Sequence, residues 1–368
     1  MRKFINSIKK IANVRIRFDL PKSKKILKFD EGNTELFKKT IKYDFNVIPT
    51  RKLEIYFWIY IKQMLFFDFN FSTYFKNYVK FTSTKLVISL LDNNLFCYKM
   101  KNELDGVSFI SIQNGTRSMS ANMFNKKFIK FHNNLKCDHI FTHNKYILEE
   151  YKKIIDSNYH VLGNYINNAS NINKTKFKNS YLFIAAGHEN WDMRIGISYK
   201  LFYLLNSYFL RSNKKLHILL KSKIYLRQKN EINFYKRFFT CKCVFLKTKT
   251  KSSPYKILDK FENIIFTQST LGYEAISRNK KTAIFPVNKD KVDRKIFGWP
   301  KKQQKNYDFF LPKELTYGEV ERVLNNISNC KQSNWDINHY KYIKDLMYFD
   351  KGNSQLRKII SKIIKTKF

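Results

Sequence analysis

The chain is short of acid. It carries 29 Asp and Glu against 70 Lys and Arg, a formal charge of +41 over 368 residues. Such a surface attracts phosphate-rich material: nucleic acid, anionic lipid headgroups, or nucleotide-activated and lipid-phosphate substrates. Lys, Asn and Ile crowd every segment, so charge alone does not single out one of these. Cysteine is also scarce. The five, at positions 97, 137, 241, 243 and 330, are odd in number and scattered, which excludes a disulfide framework. Cys241-Lys-Cys243 has no accompanying Cys or His pair, so no metal site is expected and all five read as reduced thiols of a cytoplasmic protein.

Long apolar runs are missing too. The most aromatic segment, Leu53 to Phe67, is interrupted by Lys62 and followed by Asp68, too short to span a bilayer. The start, MRKFINSIKKIANVRIRF, lacks the continuous apolar core of a signal peptide. Its Phe4, Ile5, Ile8, Ile11 and Val14 fall at helical spacing, the pattern of a segment lying on an anionic membrane surface. A peripheral place at the inner face of the membrane is therefore part of the expectation. The P-loop, GxSxG, HExxH and GxGxxG patterns are all absent, which argues against an NTPase, a serine hydrolase, a zinc protease and a simple dehydrogenase. No repeat of 20–50 residues is visible.

Hydrophobic residues make up 43% of the chain, enough for a full core. They recur as short strands separated by helix-compatible stretches, the grammar of a parallel α/β sheet. The first half reads as strands at Lys25–Asp30, Phe45–Pro49, Lys85–Leu91, Val107–Ile112, Asp138–Phe141 and Tyr159–Leu162, with one long aromatic helix over Arg51–Tyr78. Several of these strands end in polar clusters: Asp30, Asp92, and Gln113-Asn114-Gly115-Thr116-Arg117, with His143 at another end. Carboxyl ends of strands are where open α/β sheets bind ligands. A polar stretch, 167–180, then reads as a linker. The second half restarts with strands at Tyr181–Ala186, Leu216–Leu220, Cys241–Leu246 and Phe261–Phe266. Gly187 and His188 follow the first of these, and Lys221 ends the second. The expected organisation is a Rossmann-like domain over 1–166, a linker over 167–180, a second Rossmann-like domain over 181–335, and closing helices over 336–368 that cross back onto the first domain.

The stretch around which this is arranged is Phe266–Pro286. A strand meets Thr267-Gln268-Ser269-Thr270, and a helix-compatible segment follows. Ser269 or Thr270 can cap that helix, whose free backbone amides then face an anion. Gly272 allows close approach of a ligand, and Glu274 can accept hydrogen bonds from sugar hydroxyls. The bland alternative is an ordinary capped helix in which Glu274 complements the helix dipole.

Four stretches carry a family resemblance: Asp92-Asn93-Asn94, Ile112 to Arg117, Ser269 to Ala275, and Asp350-Lys351-Gly352-Asn353. Together they resemble bacterial surface-carbohydrate (O-antigen) biosynthesis proteins, glycosyltransferase-like chains of the two-lobed GT-B type. More distantly the chain resembles Kdo transferases, polysialyltransferases and the glycerophosphotransferases of teichoic acid assembly. The resemblance runs from about Lys25 to Ile364. The distant relatives carry His before the glycine where this chain has Asn114, which removes support for a His-based mechanism at that position.

The resemblance implies transfer of a sugar from a nucleotide-activated donor to a lipid-linked or glycan acceptor of lipopolysaccharide O-antigen or capsule. Asp92 would be the catalytic carboxylate, with Asp30 and Gln113 holding the acceptor or orienting it, and Asn114 and Arg117 on the acceptor side. Ser269, Thr270, Gly272 and Glu274 would bind the donor, with Lys221, Gly187 and His188 beside them. No cofactor or metal is required, because Lys, Arg and helix amides can carry the leaving-group charge. Two rivals stand: a non-catalytic GT-B scaffold of glycan assembly, and a basic nucleic-acid-binding protein, against which counts the lack of any recognised signature. No specific nucleic acid partner is expected.

Overall fold

Leu86–Ser89 (β5) is buried along its whole length and Ser108–Ile112 (β6) along nearly all of it, the state of strands covered on both faces. They sit at the middle of a six-stranded sheet in the order β3-β2-β5-β6-β7-β8, with Ile26–Phe29 (β2), Asn46–Ile48 (β3), Leu135–Thr142 (β7) and Ile155–Val161 (β8). Every pairing in it is parallel. The second sheet is five-stranded and also parallel, ordered β11-β10-β9-β12-β13: Phe177–Ile184 (β9), Lys215–Leu219 (β10), Cys243–Leu246 (β11), Phe261–Phe266 (β12) and Lys281–Ile284 (β13). A short parallel ribbon joins Arg15–Arg17 (β1) to Glu54–Tyr56 (β4). The computed structural model describes residues 14–50, 54–64, 68, 70–117, 124, 134–185, 198–248, 253–288, 290–293 and 308–365.

Helices cover both sheets. The first lobe carries Thr34–Ile41 (α1), Phe57–Met64 (α2), Phe71–Phe81 (α3), Leu95–Lys101 (α4) and Lys145–Tyr151 (α5). A short helix, Tyr165–Asn168 (α6), leads to the second lobe, which carries Tyr199–Arg211 (α7), Tyr225–Lys236 (α8), Ser253–Leu258 (α9), Thr270–Ser277 (α10), Tyr317–Asn329 (α11) and Gln332–Asn338 (α12). The last helix, Ser354–Lys365 (α13), buries Leu356 and Ile360 in a core it shares with Ile26, Ile88 and Ile110 of the first sheet. Between these, Ile343, Leu346 and Met347 belong to the core of the second lobe. The chain therefore returns to the first lobe across the seam, tied by a bridge between Gly163 and Phe349.

Three details differ from the sequence reading. The aromatic stretch expected as one helix is a strand (β4) and two helices. The Asn70 side chain accepts from Ser72 N at 3.0 Å and starts α3, while Asp68 accepts from Thr73 Oγ1 at 2.7 Å. A capping residue inside an apolar run outcompetes continuation of the helix. The stretch 167–180 is not a plain linker. Asn167 and Asn168 are buried, and β9 begins at Phe177. Finally, α8 fills the interval after β10, where hydrophobic periodicity gave no signal. No helix among the described residues is long and apolar enough to cross a membrane.

Candidate functional site at the lobe seam

Both sheets present the carboxyl ends of their strands to the seam, and the two rims touch. Thr116, four residues beyond β6, donates its backbone N–H to Thr270 Oγ1 at 3.2 Å, and the two hydroxyls are also 3.2 Å apart. Gly115 lies against the same Thr270 hydroxyl, which a Cβ at position 115 would meet at 3.7 Å. The strand-end cluster of the first lobe is thus laid on the first turn of α10.

Behind Thr116 stands a closed electrostatic unit. Asp92 is fully buried. Its Oδ2 accepts from Arg117 Nε at 2.8 Å and from the Tyr151 hydroxyl, and its Oδ1 accepts from Arg117 Nη2 and from Asn114 N at 3.1 Å. Arg117 also donates to Asn114 Oδ1 at 2.8 Å. This is the bidentate guanidinium–carboxylate geometry that holds Arg in one orientation. Burial works against the Arg117 charge, but hydrogen bonding to Asp92 and its negative charge outweigh it and hold the guanidinium firmly protonated. Burial, then the charge of Asp92, pushes the Tyr151 phenol far above its ordinary range, so it remains a donor. The Tyr98 hydroxyl donates to the Asp92 carbonyl at 2.7 Å.

This corrects the roles expected at the first rim. Asp92 does not stand open to an acceptor hydroxyl, because Arg117, Tyr151 and Asn114 occupy both its oxygens. Asp30 and Gln113 do not orient it either. Asp30, at φ 87°, turns its carboxylate onto its own loop and the end of β3, accepting from Gly32 N at 2.8 Å and Thr50 Oγ1 at 3.1 Å. Gln113 is a buried clasp: its Nε2 donates to Gly115 O at 2.7 Å, and its Oε1 accepts from His143 N at 2.8 Å. Burial lowers the His143 pKa to about 4, so the ring is neutral, and its Nδ1 has no partner among the described residues. Gln113, Thr116, Arg117, His143, Asn144, Ile147, Tyr273 and Leu346 enclose a hollow between the lobes with room for about one water.

On the second rim, Ser269 occupies the N-cap of α10 with extended backbone but makes no side-chain cap bond; its carbonyl accepts from Gly272 N at 3.0 Å. Neither hydroxyl caps the helix as expected, since that of Thr270 is turned to the first lobe. Packing by itself already requires glycine at position 272. A Cβ there would fall 2.1 Å from Cγ of Phe266, so glycine is what lets α10 pack on β12. Glu274 is buried, and desolvation raises its pKa to about 7 against the opposing pull of the Tyr255 hydroxyl and Arg278. One turn on, Arg278 is locked to Asp259 at 2.7 Å with both side chains fully buried. It also donates to Asn167 Oδ1 at 2.9 Å and to the carbonyl of Asn171 at 2.5 Å. Motif spacing in the sequence gave no sign of Arg278, Asp259, Asn167, Tyr151 or Tyr98. Lys221 lies two residues beyond β10, and β9 lies between β10 and the strand that delivers α10, so it flanks that helix by about two strand spacings, or 10 Å. Gly187 and His188 lie outside the described residues, as do Phe4, Ile5, Ile8 and Ile11 of the basic start.

Two parallel α/β lobes joined by a linker, with both rims at one cleft and the last helix crossing back, define the GT-B class. Solved structures share this fold over nearly the whole chain. The wall teichoic acid polymerase TagF, solved with an H444N substitution and CDPG, superposes with a TM-score of 0.54 at 14% identity, covering 99% of this chain and 97% of that one. The structure of S. aureus MnaA with UDP gives 0.55 at 13%, covering 94% and 99%. A UDP-GlcNAc 2-epimerase from Methanocaldococcus jannaschii gives 0.52 at 11%, covering 92% and 99%. Within that class the chain belongs to the family described as "putative O-antigen biosynthesis protein", which matches residues 110–364. No curated protein matches it.

Proposed function

We propose that the protein transfers a sugar from a nucleotide-activated donor, held on the second lobe, to a lipid-linked or glycan acceptor held against the first. The observation that carries this reading is the contact between Thr116 and Thr270, which sets the Asp92–Arg117 unit against the first turn of α10. Breaking the glycosyl–phosphate bond leaves negative charge on the departing diphosphate, and the new bond to the acceptor oxygen releases that hydroxyl's proton, which the diphosphate takes up. Arg117 and the amides at the start of α10 stabilise that charge where it develops, so the step asks for no metal. Asp92 and Tyr151 then serve to fix Arg117, and Ser269 and Thr270 contact the donor, with Glu274 buried in the helix behind them. The solved structures with CDPG and with UDP support a nucleotide-linked donor by fold likeness.

A second reading, a non-catalytic scaffold of glycan assembly on the same fold, is favoured by one fact: every oxygen of Asp92 is already engaged. The two readings separate in one pair of measurements. Thermal-shift titration with CMP-, CDP-, UDP- and GDP-linked sugars tests the donor site. Incubation of the stabilising donor with membrane extract tests release of its nucleotide. Binding with release supports the transferase; binding without release supports the scaffold; no stabilisation by any donor overturns the shared nucleotide-sugar site.

A further inference from the structure

At the rim of the second lobe, three consecutive large apolar side chains stand in solvent. Ile224, Tyr225 and Leu226 are 55%, 75% and 66% exposed at the start of α8. They are not loose. Buried Glu231 accepts from the N–H groups of Lys221 and Ser222 at 2.9 and 3.1 Å, and Gln228 Nε2 donates to Ser222 O at 2.9 Å. Ser222 Oγ accepts from Ile224 N at 3.2 Å, completing a loop fastened from beneath that holds the apolar tip outward. A folded chain that spends hydrogen bonds on displaying hydrocarbon to water has a use for it.

The surroundings say what kind of use. Lys221, Lys223, Arg227 and Lys229 flank the tip and are exposed, and Lys247, at the end of the neighbouring β11, places its ammonium 5.7 Å from the Tyr225 ring centroid. The one acid of the stretch, Glu231, is buried under the loop and adds nothing to the outer face. Apolar tips ringed by cations are the composition of interfacial membrane anchors, the hydrocarbon entering the headgroup layer while the cations meet lipid phosphate. Nucleic acid would use the cations and one ring but offers nothing to Ile224 and Leu226, which stack on no base.

We infer that the Ile224–Leu226 tip docks the second lobe on an anionic lipid bilayer, with Lys221, Lys223, Arg227, Lys229 and Lys247 facing its phosphates. Because the tip follows the carboxyl end of β10, docking there brings the cleft rim to the membrane, where a lipid-linked acceptor would be presented. The inference does not depend on the transferase reading, since membrane binding is measured without turnover.

Co-sedimentation of the full chain with phosphatidylethanolamine–phosphatidylglycerol vesicles tests it, with phosphatidylcholine vesicles as the uncharged comparison. The expected result is binding to the anionic vesicles that Ile224→Ser/Tyr225→Ser/Leu226→Ser weakens by about tenfold or more. Lys223→Gln/Arg227→Gln/Lys229→Gln should weaken it comparably and flatten its salt dependence. Ile337→Ser, at an exposed apolar residue on α12, should bind as the parent does. All these positions are surface ones, and melting curves check that each variant is folded. Undiminished vesicle binding by the tip variant would overturn the inference. So would absence of binding by the parent, or loss in that variant of binding to a single-stranded RNA oligomer but not to vesicles.

Discussion

Thr116 and Thr270 are 154 positions apart in sequence and share a hydrogen bond across the seam, backbone N–H to hydroxyl, at 3.2 Å. Through Thr116 the bond reaches Arg117 and Asp92; through Thr270 it reaches the first turn of α10. Thr270→Val keeps the shape and deletes the acceptor. A single neutral hydrogen bond contributes about 1 kcal/mol, so global stability should change little. Donor-induced thermal stabilisation should fall, because the donor is proposed to bind where the bond is made. A variant stabilised by the donor as strongly as the parent would place the nucleotide elsewhere.

Asp92→Asn distinguishes a base from a support. As a base, Asp92 would matter for turnover and hardly for donor affinity. As the support of Arg117, its loss leaves a buried guanidinium half satisfied, which costs about 3–5 kcal/mol. The expected outcome is loss of both stability and donor affinity, with Arg117→Gln giving a matching loss of affinity. Denaturant unfolding and donor titration of the two variants decide it. Intact donor affinity in Asp92→Asn would restore the base.

Much of this was legible in the sequence. Short apolar runs ending in polar clusters gave two parallel sheets with their rims at one cleft, because a strand covered on both faces reads as a short continuous apolar run and its carboxyl end meets the cleft. Asp92, Gln113, Arg117 and Thr270 were correctly gathered at those rims. Their roles were not legible, because a role depends on which side chain arrives from elsewhere. Tyr151 reaches Asp92 from 59 positions away, and Asn167 meets Arg278 from 111 away; no local spacing encodes either meeting. Gly272 shows the same limit. Closeness to a ligand and packing on Phe266 call for the same residue type, and the Phe266 contact exists only once α10 lies on β12.

Glu274 carries a pH dependence. Its folded value of about 7 lies above the ordinary 4.5, so the native state holds this proton more tightly than the unfolded chain does. The resulting stability is complete below about 4.5 and is lost as pH rises through about 7, a change on the order of 3 kcal/mol. His143 slopes the other way: burial depresses its pKa to about 4, so its contribution is lost as pH falls from its ordinary 6.5. The difference between parent and Glu274→Gln isolates the first effect. Urea unfolding should show the variant gaining on the parent between about pH 5 and 8. A constant difference across that range would show that Glu274 is ionised throughout.

Arg278 fixes the linker to the second lobe. Arg278→Lys keeps the charge but cannot bond Asp259 at two points and still reach Asn167 and Asn171. A loss of about 3 kcal/mol is expected, approaching that of breaking a buried pair. Arg278→Met/Asp259→Leu should lose less than the sum of its single changes, since neither charge is then left alone. Additive losses in denaturant unfolding would mean the two side chains act independently.

Gly163 is where the returning chain presses closest. It sits at φ 82°, and a Cβ there would lie 1.9 Å from the Tyr348 carbonyl oxygen, so Gly163→Ala both strains the backbone and pushes residues 348–349 away. Gly106, at φ 70° with nothing within 4 Å of such a Cβ, supplies the control for strain alone. Gly106→Ala should cost about 1 kcal/mol. Gly163→Ala should cost distinctly more and speed tryptic cleavage at Arg357 and Lys358, whose backbone lies within the docked helix α13. Equal cleavage rates in the two variants would mean that the bridge from Gly163 to Phe349 does not hold the last helix on the first lobe.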